Sequence, residues 1–192
     1  MSHTGLANRI KRIPLSSLER ELISGCLLGD GTLSQSGKYH RLRIEHASRH
    51  KEYVEWKHSV LKRLCVSEIQ CVADHGSFRF GTVGLPEVTE MRQLWYRPTK
   101  QIPTDLVLTP MMVAIWFMDD GTKHRDTVDI SVHSFSFESL TSLRNRLSLL
   151  GIHTTVNSDA KGHRLYVLKE SYPNFKRLVK PYIVECMAYK LP

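Results

Sequence analysis

The chain has 192 residues, 41% of them hydrophobic and 24% charged, and its 27 Lys and Arg against 19 Asp and Glu give a net charge of +8. This fits one globular domain or two small ones, and it excludes a disordered chain except over an N-terminal arm taken as residues 1–16. The basic surplus suits a polyanionic partner, a trait shared with ribosome-associated and membrane-surface proteins.

In chain order, "PLSSLERELISGCLLGDG" predicts a helix that opens on Ser16, with Glu19 three residues on. In such a capping box each side chain answers the other residue's backbone N–H. Leu18, Leu22, Gly25 and Gly29 fall along one side of it. A short strand over 32–35 should turn at Ser36-Gly37 into "KYHRLRIEHA", where Leu42 and Ile44 alternate with Arg41, Arg43 and Glu45 as in a half-buried strand. "SRHKEYVEWKHSVLKRL" then spaces Tyr53, Val54, Trp56, Val60, Leu61 and Leu64 as on one face of a helix. Strands over 69–74 and 77–83, meeting at His75-Gly76, and a helix over 87–96 complete this stretch. "RPTKQIPTD" follows, with Pro98 and Pro103 stiffening the chain around Lys100.

The order then repeats. Thr109 caps and Pro110 opens a helix running to about Asp120, where a missing N–H costs nothing. A brief strand near 122–124 leads to "TVDISVH", with Val128, Ile130 and Val132 inward against Asp129, Ser131 and His133. A helix closed by Gly151, strands over 152–157 and 164–168 turning at "AKG", and a helix near 172–182 finish the chain. Asp120 follows Asp30 by 90 residues, and Lys190 follows Lys100 by the same interval. Each half reads α-β-β-α-β-β-α, a duplicated unit and not a solenoid, since there are two copies.

Both copies carry an oily helix into an acid and a glycine, "LLGDG" and "FMDDG". An acid at a helix C-terminus opposes the helix dipole. One isolated Asp-Gly is ordinary turn chemistry; recurrence at matching points of a repeat carries more weight. Residues 23–28 and 113–118 are apolar almost all round, as in helices at the heart of a domain. Packed side by side and parallel, two such helices would bring their acids together. Adjacent carboxylates repel unless a cation lies between them, for which divalent magnesium, hard and oxygen-loving, is suited.

"ISGCLLGDG" and "VAIWFMDDG" resemble the two signature segments of LAGLIDADG homing endonucleases in their single-chain, two-motif form. "KQIPTDLVLTPMMVAIWFMDDGTK" and the ending "MAYKLP" look like the subgroup typified by the yeast mitochondrial omega-intron enzyme, and the resemblance runs from residue 17 onward. It implies an α+β fold of two pseudo-symmetric αββαββα units, with antiparallel sheets forming a DNA-binding saddle and the motif helices at the interface. The halves would cover 17–97 and 110–192, with a linker over 98–109. The family's metal carboxylates map to Asp30 and Asp120, the carbonyls that can join them to Gly29 and Asp119, and the active-site lysines to Lys100 and Lys190. Two or three Mg²⁺ ions shared between the acids, staggered cuts and 3' overhangs are likewise implied. The second motif departs from the first in having Ile115 where Gly25 stands, so close helix contact would be one-sided.

Recognition is expected on the outward strand faces, since a two-stranded ribbon fits the major groove. Ser34, Gln35, Lys38, Arg41, Arg43, Gln70 and Arg79 are candidates in the first half. Lys123, Arg125, Asp129, Ser131, His133, Asn157 and Lys161 are candidates in the second. His124 is the nearest residue to a general base, with a phosphate contact or plain exposure the stronger expectations. The three tryptophans, on apolar helix faces, are expected in the core. The expected activity is site-specific double-strand DNA cleavage by a monomer on a long, pseudo-palindromic or asymmetric target. Alternatives are an RNA maturase acting on its host intron and a DNA-binding protein that has lost cleavage.

No apolar run approaches the ~20 residues that cross a bilayer. No long apolar core follows Arg9, Lys11 and Arg12, so a secretory signal is not expected. Cys26, Cys65, Cys71 and Cys186 show no paired spacing and are expected reduced. A zinc site at Cys65, Cys71 and His75 lacks a second tight pair. The expected setting is intracellular, either bacterial cytoplasm or the matrix of a mitochondrion or chloroplast.

Overall fold

The computed structural model describes residues 3–160 and 162–192, so the candidate Lys161 lies outside the described residues. The chain divides between Gln93 and Leu94 into two compact units. Each carries the helix-strand-strand-helix-strand-strand-helix order, and each builds a four-stranded antiparallel sheet.

In the first unit the N-terminal arm is not wholly irregular: α1 spans His3–Ile10 and ends on Ile10, 5% exposed. Its apolar anchor is masked in the sequence by Arg9, Lys11 and Arg12. Helix α2, Ser17–Leu28, starts with the capping box: Glu19 N–H donates to Ser16 Oγ (3.2 Å) and Ser16 N–H to Glu19 Oε2 (2.8 Å). Arg63 Nε also donates to Glu19 Oε1 at 3.0 Å. Burial pushes the Glu19 carboxyl up, but the hydrogen bonds from Arg63 and Ser16 outweigh it and hold it below the usual carboxylate range. Strands β1 (Thr32–Ser36) and β2 (Tyr39–Ala47) form a hairpin; β3 (Gln70–Val72) and β4 (Ser77–Gly81) form another. Between them lies α3, Lys51–Val60, and after them α4, Pro86–Trp95. The sheet order is β1-β2-β4-β3. Leu42, Ile44 and Phe80 bury its inner face with Tyr53 and Val54 of α3. The predicted strand over 69–74 is cut short by a single 3-10 turn, Ala73–His75, and Gly76 takes the left-handed φ of 55° that closes the hairpin.

In the second unit α5, Pro110–Asp120, is capped by Thr109, whose Oγ accepts the Met112 N–H at 3.3 Å. Met111 through Met118 are all buried, and Phe117 meets Phe175 edge to face. Strands β5 (Gly121–His124) and β6 (Thr127–Ser131), helix α6 (Phe137–Leu149), strands β7 (Thr154–Asp159) and β8 (Gly162–Val167), and α7 (Tyr172–Val179) follow. Their sheet order, β5-β6-β8-β7, matches the first. Trp95 and Trp116 are core residues, as expected, whereas Trp56 is half-buried beside Tyr53. The four cysteines are free thiols. Among the described residues no helix is long and apolar enough to cross a membrane.

Candidate active site and nucleic-acid interface

Helix α2 closes with Gly29 N–H donating to the Gly25 carbonyl at 3.3 Å and Gly31 N–H to the Cys26 carbonyl at 2.8 Å. The turn is so tight that a Cβ on Gly31 would lie 2.7 Å from the Cys26 carbonyl oxygen. Gly121 is tighter still, with Phe117 Cδ2 at 2.1 Å from such a Cβ. In both units the residue after the acid must be glycine for the chain to fold back along the last helical turn into its strand. The acid before it is thereby set at the helix end, next to the first residue of the sheet. The Asp30 side chain is 50% exposed, and Asp119 and Asp120 are half-buried.

The helix-end dipole has its expected cation in the second unit. Lys190 Nζ donates to the carbonyls of Met118 and of Asp119, the latter at 3.1 Å, which are the groups α5 leaves open at its C-terminus. Asp119, Asp120, Gly121, Thr122, Lys123, Tyr189 and Lys190 line one open cavity of about 430 Å³. Carboxylate oxygens beside room for water suit a hard divalent ion, which keeps several waters of its own. The Asp119 carbonyl is an acceptor for Lys190. Lys100 lies in the second unit with Nζ 4.8 Å from the Phe135 ring centroid.

The register of the first sheet aligns most of its candidates. Ser34 faces Arg41, Thr32 and Gly81 flank Arg43, and Glu45 faces Arg79, which faces Gln70. Directly paired residues share a face, so Ser34, Arg41, Arg43, Arg79 and Gln70 stand together. Arg41, Arg43, Gln70 and Arg79 line one small cavity. Gln35 pairs with His40, on the opposite parity, and its amide donates to the Gly37 carbonyl at the hairpin end. Lys38 lies in that hairpin turn with its ammonium 5.0 Å from the Tyr39 ring centroid.

A model of the LAGLIDADG DNA endonuclease family matches residues 20–175. The chain belongs to this family. A cytochrome b mRNA maturase bI2 of Debaryomyces hansenii is 29% identical over 93% of this chain and 75% of its own length. The DNA endonuclease I-ChuI of Chlamydomonas applanata is 27% identical over 92% of this chain and 95% of its own. A solved structure of the homing endonuclease I-WcaI bound to its DNA recognition sequence has the same fold, with a TM-score of 0.83 at 24% identity over 96% of this chain and 91% of that one.

The second LAGLIDADG unit presents its candidates differently. Thr122, Asp129, Tyr166 and Thr155 form one row, and Ser131, Arg164 and Asn157 the next. Asp129 was expected to project freely; instead it is 8% exposed beneath Arg164, whose Nε donates to Oδ1 at 2.8 Å, with His124 Nδ1 3.4 Å from Oδ2. A carboxylate so covered is a partner for cations of its own sheet. His124 is occupied in the same way. Lys123 pairs with Val128, on the inner parity of edge strand β5, and reaches the cavity beside Asp120. Arg125 forms the β5–β6 turn with a φ of 54°, and Ser131, His133 and Asn157 are at least partly exposed.

Three polar residues in contact with candidate positions or with one another do not stand out in the sequence: Arg164, His46 and Lys57. Arg164 is visible as a charge in "GHRLYV", but its partnership depends on β6 and β8 pairing 35 residues apart. His46 continues the inward series Leu42, Ile44, and Lys57 the inward series Val54, Leu61; a polar residue at an apolar period is the available signal.

Proposed function

We propose that this chain is a site-specific endonuclease of double-stranded DNA that hydrolyses a phosphodiester in each strand and leaves 3' overhangs, as in intron homing. The observation that carries the proposal is the recurrence, in both units, of an acid at the end of a buried helix, locked by a sterically required glycine, beside a strand face that carries cations. Asp30 and Asp120 are the proposed metal carboxylates, with the carbonyls of Gly29 and Asp119 as further oxygen donors for two or three Mg²⁺ ions. Such ions relieve charge on the phosphate and lower the pKa of a bound water. The chain supplies position and countercharge. Lys190, fixed on two helix-end carbonyls, holds a cation beside the Asp120 cavity, where negative charge builds on the phosphate. Lys100 is assigned the matching role by its matching interval.

Arg41, Arg43, Gln70 and Arg79, with Ser34, are the proposed contacts of the first sheet to bases and phosphates. Ser131, Asn157, Lys123, Arg125 and His133 serve the second. The partner is a long, pseudo-palindromic or asymmetric duplex bound by a monomer, inside a bacterial cell or an organelle matrix.

A plasmid carrying the intronless host locus tests this. Linearisation at a single site in Mg²⁺ and not in Ca²⁺ is the expected result; binding without a cut in any metal refutes cleavage. A second reading, an intron RNA maturase, is favoured by the likeness to the cytochrome b mRNA maturase. It predicts splicing of the host intron stimulated by the protein in the absence of DNA.

A further inference from the structure

The first unit contains a buried polar column that has no counterpart among the described residues of the second. Lys57, on α3, is fully buried, with Nζ 3.0 Å from His46 Nε2 and 4.1 Å from the centroid of the Tyr53 ring. His46, on β2, is 8% exposed, and its other ring nitrogen, Nδ1, lies 3.7 Å from Asp30 Oδ2. With Lys57 donating to Nε2, the ring proton stays on Nδ1, the nitrogen facing Asp30. The Tyr53 ring, 5.0 Å from the imidazole, packs the column from the side.

The matching positions of the second unit are apolar. His46 lies two residues beyond Ile44, and Val132 two beyond Ile130; Ile44 and Ile130 face Phe80 and Leu165 at the same place in their sheets. On the helices, Val54, Lys57 and Leu61 correspond in spacing and burial to Leu140, Leu143 and Leu147. The polar pair of one half is thus Val132 and Leu143 in the other, both 1% exposed or less. Burying a lysine and a histidine costs free energy that the second unit avoids. The fold alone does not require it.

We propose that His46 and Lys57 are positioning residues for Asp30: Lys57 fixes the tautomer and tilt of His46, and His46 orients the Asp30 carboxylate toward its divalent ion. This inference rests on the metal-dependent nuclease reading. It makes the two half-sites unequal, one acid steered by a buried column and the other set in an open cavity beside Lys190.

The test uses the full chain with His46→Val, Lys57→Met and the double variant His46→Val/Lys57→Leu, which installs the apolar pair of the second unit and guards against misfolding. Cleavage of each strand is followed separately on end-labelled target duplex. One strand should slow by about tenfold while the other changes little, the scale on which supporting partners of a metal ligand act. Terbium titration of the free protein should show a comparable, about tenfold weakening, with Asp30→Asn as the baseline. A folded double variant that cuts both strands in the wild-type ratio, or slows both alike, overturns the proposal, as does unchanged terbium affinity. If the wild-type protein cuts no DNA in Mg²⁺ or Mn²⁺, the nuclease reading fails separately, and the terbium titration alone decides the positioning role.

Discussion

The two units share one strand order and one helix order, yet they spend their charged residues differently. In the first, arginines stand side by side on the outer sheet face, and a histidine and a lysine sink into the core. In the second, the outer face ties its arginine to an aspartate, and the core beneath is purely aliphatic at the corresponding points. The common parts are those the backbone demands: the capped helix, the glycine pressed on the last turn, the alternating strands. The divergent parts are polar side chains whose value depends on partners brought from elsewhere in the sheet. A duplicated fold can therefore keep its frame while each copy acquires its own ligand-facing chemistry.

The largest expected effect touches what the units share. Asp30→Asn and Asp120→Asn should each reduce cleavage by roughly a thousandfold, a loss of about 4 kcal/mol of transition-state stabilisation. Gel-shift affinity in Ca²⁺ distinguishes this from lost binding. If one of the two is dispensable, the units differ at the acids as well as around them.

Next come the arginines, where the units should separate. Arg164→Ala leaves the nearly buried Asp129 without its main cation and should cost about 3 kcal/mol of stability, measured by urea unfolding. Arg43→Ala, on an exposed position of the first sheet, should leave stability within about 0.5 kcal/mol. It should instead weaken DNA binding and lower the salt slope by about one. Equal stability losses would erase the contrast.

A smaller effect belongs to the helix starts. Glu19→Gln should cost about 1–2 kcal/mol at neutral pH, since the side chain closes the capping box and pairs with Arg63. The carboxyl is held below the usual range in the folded protein. Its stabilisation is therefore complete above the unfolded value and fades as the pH falls through the folded one, so wild type and variant should converge in acid. Thr109→Ala, at the other motif helix, should cost about 1 kcal/mol with no such pH dependence.

The smallest is a chemical contrast inside the first unit. Burial pushes the Cys65 thiol up to about 12, whereas Cys71 is exposed on β3. Iodoacetamide at pH 8 should modify Cys71 and leave Cys65 as a thiol by peptide mass mapping. Fast loss of both would show that the first unit opens readily.

Much of this was legible in the sequence because it is local. Ser16 with Glu19, Thr109 with Pro110, and the period of "YHRLRIEHA" each act over a few residues, and each appears in the structure where those rules put it. The acid-glycine pairs were visible as a recurrence, although their steric necessity needed the positions of Cys26 and Phe117. What stayed hidden is non-local. Asp129 looked like a free outward acid until β8 laid Arg164 over it. The outward set over-reaches at Ser34 and Gln35, since adjacent strand residues face opposite sides. Lys57 gives no local sign of its burial, since a lysine on a helix is usually solvated, and nothing local announces that a histidine 11 residues earlier will meet it.

One guanidinium bears on how the chain can be taken apart. Arg146, on α6, donates to the carbonyls of Pro103, Thr104 and Leu106, fastening the proline-stiffened segment to the body of the second unit. A gene split or chimaera that joined its halves at residue 110 would strip that segment from its anchor and leave Arg146 with Ser142 but without its three loop carbonyls. The sounder seam for exchanging units lies between the end of α4 at Trp95 and Pro98, so that the prolines travel with the helix that grips them.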